Sequence, residues 1–196
     1  MKKIMFNDRY GLTSAVLDGR KTQTRRIAFT GKFKRYVNCG FYMEGKDKGK
    51  LSINDGNEIV AKSTYKIGEV VAVAQPYYKI PLHPLSQVLF ESTAGWGNKM
   101  FVKSSLMPHQ IKITNIRAER LKSISVEDCM KEGIGYSHHE GCEEAYAYDS
   151  TGKSDVEKWW FSTPVDAFSA LIVLLYGVDT WISNPLVFVY DFELVK

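Results

Sequence analysis

Two periodicities run through this chain and divide it into elements. Lys2 to Phe6 reads as a first strand. Leu12, Val16 and neighbouring apolar residues give one face to a short helix over about 8–17, and Asp18-Gly19 stops it, because glycine takes the left-handed conformation at little cost. The segment 20–27 then leaves in extended form. Glu69–Ala74 holds a continuous apolar run, the mark of a strand buried on both faces. Val88–Glu91 and Met100–Val102 are short strand candidates. In QIKITNIRAERL at 110–121, Ile111 and Ile113 alternate with polar residues and Ile116 breaks the parity; a bulge near Asn115 restores it. Ser125 opens a second helix, with Asp128 in the capping-box position and Gly133 as its stop. The third helix is capped by Thr163, has Pro164 in its first turn and ends at Gly177. Its apolar stripe is Val165, Phe168, Ile172 and Leu175, widened by Leu171. Leu186–Leu194 alternates as a closing strand after the Asn184-Pro185 turn.

Two stretches lack clear periodicity. Residues 31–64 are rich in Lys, Gly, Asn and Ser and read as an insertion or mobile flap, with Phe41-Tyr42 and Leu51–Ile53 as a short hairpin within it. Residues 135–160 read as a long loop. Strands outnumber helices and are spread along the chain, so the expected class is mixed α+β: a small barrel or half-barrel with peripheral helices and a loop-rich insertion, not a doubly wound sheet. No internal repeat and no glycine-rich phosphate loop is visible.

Composition changes this picture little. The 196 residues suit one domain with insertions, and 44% hydrophobic with 24% charged residues argues against a disordered or fibrous chain. The longest apolar stretch, Ala170 to Tyr176, is too short to span a bilayer, and no apolar run follows Lys2-Lys3 as a signal peptide requires. Cys39, Cys129 and Cys142 fit neither a paired disulfide framework nor a four-ligand zinc site, which points to reduced thiols in a cytoplasm. Charge matters more. The net +4 hides 13 Lys/Arg against 4 Asp/Glu over residues 1–50 and 4 against 13 over residues 126–196. A basic surface that meets phosphate and a basic segment that faces the acidic one are both open.

The string GRKTQTRR at 19–26 carries a resemblance. Gly19, Lys21, Thr24 and Arg26 are similar to the signature that follows the first helix in ASCH domains, a PUA-like family, and the string resembles bacterial and phage-associated members. The similarity continues through YKIGEVVAVA at 65–74, SLMPHQIKITNIRAERLKSIS at 105–125, EDCMKEGI at 127–134 and WISNPLVFVYDFEL at 181–194, in the family's order. It skips 31–64 and 135–160. The resemblance implies a single PUA-like β-barrel domain over 1–196 that binds RNA or a nucleoside. One branch of the family is a metal-independent amidohydrolase that removes the acetyl group from N4-acetylcytidine with a lysine, a threonine and a glutamate. Lys21, Thr24 and Glu132 match those three by type and context. Many other members have glutamate where Thr24 stands. Gln75 departs from phage-type relatives, which often carry glutamate there, and the chain is far longer than the compact hydrolases.

Lys21, Thr24 and Glu132 are thus the candidate catalytic residues. Gly19, Arg25, Arg26, Gln75, Tyr77 and Tyr78 are candidate ligand contacts, with a core role equally open for the two tyrosines. A threonine hydroxyl needs a base to take its proton, and a lysine serves when burial or a cationic neighbour lowers its pKa. In a strict strand Lys21 and Thr24 point to opposite faces, so they converge only if the chain turns around 20–22. His138, His139 and Cys142, with Glu140 and Glu143, read as a solvated acidic loop; no metal and no cofactor is expected. Trp181 is expected to anchor the closing strand. Binding of RNA or a modified nucleoside is the first functional expectation. An amidohydrolase acting on an N4-acylated cytidine-like base is the alternative, and a phage or mobile-element accessory protein acting through protein contacts is a third.

Overall fold

The computed structural model describes residues 1–29, 31, 37–136, 145–148 and 159–195. The elements in order are β1 (Lys3–Ile4), α1 (Leu12–Leu17), β2 (Gln23–Phe29), β3 (Val37–Phe41), β4 (Leu51–Asp55), β5 (Glu58–Lys62), β6 (Val70–Val73), α2 (Pro84–Glu91), β7 (Gln110–Arg120), α3 (Val126–Lys131), β8 (Gly135–Tyr136), β9 (Tyr146–Ala147), α4 (Pro164–Tyr176), α5 (Val178–Ser183) and β10 (Leu186–Leu194). The class is mixed α+β. No helix among the described residues is long and apolar enough to cross a membrane.

The main sheet has the order β1-β6-β7-β10-β2, antiparallel except for the β1–β6 pair. Its ladder ends on β1 and β2; no pairing among the described residues joins these two edges. The expected bulge is present: Asp191 pairs with Asn115 but Phe192 pairs with Ile113, so one residue of β7 is extra. This keeps Ile111, Ile113 and Ile116 all on the buried side. The apolar run of β6 divides between two cores. Val71 and Val73 join the main cluster with Ile4, Ile111, Phe168, Leu171 and Val189. Ala72 and Ala74 face a smaller cluster with Tyr77, Ile80, Val102 and Met107.

Several expectations need correction. Val88–Glu91 lies in helix α2, not a strand. Pro84 occupies its first turn and the His83 side chain accepts from the Leu85 N–H, so local chemistry starts a helix that a short apolar run alone does not reveal. Met100–Val102 is not a strand either; Lys99–Phe101 forms a 3-10 turn capped by Asn98. The segment 31–64 is more ordered than a loop-rich flap, since β3, β4 and β5 form an antiparallel three-stranded sheet. Leu51 and Ile53 are buried and pin it to the main core. Its periodicity is weak because the outer strands β3 and β5 are largely exposed. In the expected long loop, β8 and β9 pair, and Tyr146 bridges to Phe161. Helix α5 had no sequence signal strong enough to separate it from the end of α4. His138, His139, Glu140, Cys142 and Glu143 lie outside the described residues.

Candidate functional site

The site begins where α1 ends. Gly19 has φ 74°, a conformation that favours glycine, and it reverses the chain. The Lys21 N–H donates to the Ala15 carbonyl and the Thr22 N–H to that of Lys131, so both residues precede β2 and are held by other elements. The turn that convergence of Lys21 and Thr24 requires is therefore present. On the other side, the Ser125 hydroxyl caps α3 by accepting from the Asp128 N–H, and Glu132 stands at its C-terminal end. Gly133 follows with φ 99°; a Cβ there would lie 3.4 Å from the Cβ atoms of Lys21 and Ala15. That is ordinary contact, so the positive φ and not lack of space favours glycine at residue 133.

The result is a buried ion pair. Lys21 is 2% exposed and Glu132 4%. Lys21 Nζ donates to Glu132 Oε2 at 2.5 Å and to the Glu132 carbonyl at 2.7 Å. Burial holds the Lys21 ammonium below its ordinary value of 10.5, against the raising effect of Glu132; Arg26 and Arg25 push in the same direction as burial. Arg25 occupies the other carboxylate oxygen, Nη1 to Oε1 at 3.0 Å. Its remaining donors go to Gln23 Oε1 at 2.5 Å, Glu119 Oε1 at 2.6 and 3.2 Å and Asp128 Oδ2 at 2.8 Å. Arg117 extends the network to Glu119, Asp128 and Asp191. Burial alone would pull Arg25 down, but Glu132, Glu119 and Asp128 outweigh it and raise it. Asp128 is held below its ordinary value; burial opposes this, and the hydrogen bonds from Arg25 and Gln23 prevail.

In front of the pair is a cavity of about 430 Å³. Lys21, Thr24, Arg25, Arg26 and Glu132 line one part of it, with Asp8 and Lys99. Leu12 of α1 and Phe168, Leu171, Ile172 and Leu175 of α4 form an apolar part. Five of the nine sequence candidates are thus brought together. The other four are not. Gly19 shapes the turn without lining the cavity. Gln75 is buried elsewhere, and its Oε1 accepts no hydrogen bond. Tyr77 is stacked on Phe90 at 4.2 Å within the smaller core, and Tyr78 is exposed beside Trp96. A pair directly after a buried strand continues either the core or the site, and here the turn Tyr77–Lys79 carries it into the core. Arg25 reaches the cavity wall, but its donors are committed to the protein. It holds Glu132 in place.

Asp8, Lys99 and the α4 face are the lining groups that sequence reasoning missed. The α4 stripe has ordinary core spacing. Lys99 arrives from 78 residues beyond Lys21 with no local signal, and pairs with Asp8 Oδ2 at 2.9 Å. Trp181 packs against the core, edge-on to Phe168 and with the Lys122 ammonium over its ring. Among the described residues no group of three or more His, Cys, Asp or Glu is placed to hold a metal ion. Compared with family models, with curated proteins and with solved structures, the chain matches none of them.

Proposed function

We propose that this chain is an ASCH-type domain of PUA-like, barrel-derived architecture that binds a nucleoside or a modified RNA base in the cavity beside Lys21. The observation that carries this reading is the convergence of Lys21, Thr24 and Glu132, the first and last 111 positions apart in the chain, on one cavity with an apolar face. A nucleobase has flat apolar faces and a polar edge. Its face suits Phe168, Leu171 and Ile172, and its edge suits the polar groups opposite. The volume falls in the range of sites that hold small organic ligands, roughly 300–1,000 Å³. Isothermal titration with cytidine and N4-acetylcytidine tests it. Saturable binding that Phe168→Ala weakens is expected; absence of binding by the folded wild type to both sinks the reading.

One observation favours a second reading, hydrolysis of an acylated exocyclic amine. Burial lowers the proton affinity of Lys21 and so favours the neutral amine, the form able to act as a base. In this reading Lys21 takes the proton of Thr24, or of a water beside it, and the oxygen bonds to the acyl carbon. The carbon–nitrogen bond breaks, and the proton passes through Glu132 to the departing amine. Where Thr24 is the nucleophile, a water then adds to the acyl carbon of the ester, the carbon–oxygen bond to Thr24 breaks, and the proton lost by the water returns to the Thr24 oxygen. Arg25 fixes Glu132 for that transfer. General acid–base groups contribute about 10²–10⁴-fold each. Release of cytidine from N4-acetylcytidine should fall by about that much in Lys21→Ala, Thr24→Val and Glu132→Gln. Turnover that survives Lys21→Ala removes the mechanism.

A further inference from the structure

We propose that the ligand of this cavity carries a phosphate group, so that a nucleoside monophosphate binds in preference to the neutral nucleoside. This rests on the nucleoside reading and narrows its ligand class.

The charges lining the cavity do not balance. Lys21, Arg25, Arg26 and Lys99 face Asp8 and Glu132. Three of the four cations have carboxylate partners: Lys21 and Arg25 share Glu132, Arg25 continues to Glu119 and Asp128, and Lys99 pairs with Asp8. Arg26 differs. Among the described residues it forms no ion pair; its Nη2 donates to the Met5 carbonyl at 2.5 Å, and its guanidinium lies 5.8 Å from the centre of the Phe6 ring. Arginine has five N–H donors in a fixed planar fork that matches an oxyanion. Phe6 and the Met5 carbonyl orient this fork at the cavity wall and leave most of its donors for a ligand.

Asp8, on the same wall, gives its Oδ2 to Lys99, so the charges of these two residues answer each other. The cavity therefore offers an unneutralised guanidinium for an oxyanion and an apolar face for a ring. A nucleotide carries both complements. A bare anion lacks the ring, and a neutral nucleoside lacks the oxyanion.

Titration calorimetry at one ionic strength, with cytidine, cytidine 5′-monophosphate, inorganic phosphate and a short cytidine-containing oligoribonucleotide, tests the proposal on the wild-type chain. The monophosphate should bind about tenfold or more tightly than cytidine, the difference expected of one charge-assisted contact. Arg26→Gln should collapse that ratio towards one, and Arg26→Lys should keep part of it. If Arg26→Gln does not fold, the wild-type ratio still decides. The oligoribonucleotide outranking both identifies an internal phosphodiester as the source of the same phosphate and supports the proposal. Cytidine binding as tightly as its monophosphate overturns it and leaves the nucleoside site standing. Inorganic phosphate binding as tightly as the monophosphate also overturns it. Binding of none of the four removes this proposal and the nucleoside reading together.

Discussion

Lys21 carries an ionisable amine into a site where it is only 2% exposed, and its energetics follow from that. Moving two charges out of water is costly, and the pair with Glu132 endures because Arg25 and a backbone carbonyl complete its hydrogen bonds. The consequence is pH-dependent. The folded chain holds the Lys21 proton less tightly than the unfolded chain, whose lysine titrates near 10.5. Between the folded midpoint and pH 10.5 the unfolded state binds more protons at this residue, so its contribution to stability rises with pH. Tyr65 and Tyr190 have the opposite sign, since burial raises both, Tyr65 to about 12. Urea unfolding of wild type and Lys21→Met cancels their common effect. The stability of the wild type relative to the variant should grow as pH climbs through the alkaline range towards 10.5. A difference that stays flat would mean that Lys21 keeps its proton as an exposed lysine does. Lys21, Thr24 and Glu132 were legible because a local string and its context carry them. Asp8 and Lys99 were not, because their part in the site depends on which distant carbonyls and carboxylates they meet.

Elements with both caps and a long period were read closely. Thr163, Pro164, Asp166 and Gly177 delimit α4 as the sequence implies, and the parity break in β7 falls at the bulge. Short apolar runs were misread. Val88–Glu91 fits a strand and a helix equally well by periodicity, and Leu85, Val88 and Leu89 of α2 are exposed, so no core pattern was there to find. In the three-stranded sheet Leu51 and Ile53 of β4 are buried, while Val37 of β3 and Val60 and Ala61 of β5 pack against the same core only partly buried. The helix that matters most to the cavity is α4, whose buried side supplies the apolar wall. Its cap is reciprocal: the Thr163 hydroxyl accepts from the Asp166 N–H at 3.1 Å and donates to the Asp166 carboxylate at 2.7 Å. Thr163→Ala should lower unfolding stability by about 1 kcal/mol, while Thr163→Ser retains most of it, as measured by denaturant midpoint. An unchanged midpoint in Thr163→Ala would show that packing alone sets the start of α4.

Over the whole molecule, the basic start and acidic end of the chain partly meet. Lys21 and Arg25 from the first 50 residues pair with Asp128 and Glu132 from the last part, which answers for some of the asymmetry in the sequence. A second basic cluster stands elsewhere. Lys2, Lys46, Lys50, Lys62 and Lys66 line a second concavity with only Asp47 and Glu69. Hydrogen bonds from Lys50 and Lys62 hold the Asp47 carboxyl at about 2. If the chain engages an RNA strand, this face is where its phosphates are expected. Affinity for a single-stranded oligonucleotide should then fall with salt at about 0.7 log unit per phosphate neutralised, per log unit of salt. Lys46→Glu with Lys66→Glu should reduce both the affinity and that slope; a slope unmoved by the pair would place the contact elsewhere. Lys32, Lys34 and Arg35, also in the basic first fifty residues, lie outside the described residues. The first cavity has a different consequence, for the order in which the chain becomes competent. Its wall joins residues 5–8, 12, 21–26, 99, 132 and 168–176, so a nascent chain still lacking α4 lacks the side formed by Phe168, Leu171, Ile172, Leu175 and Tyr176. Under the proposed function, occupancy therefore requires α4 to be in place, and a bound ligand would draw the whole tertiary structure, not one segment of it, towards the native side by mass action.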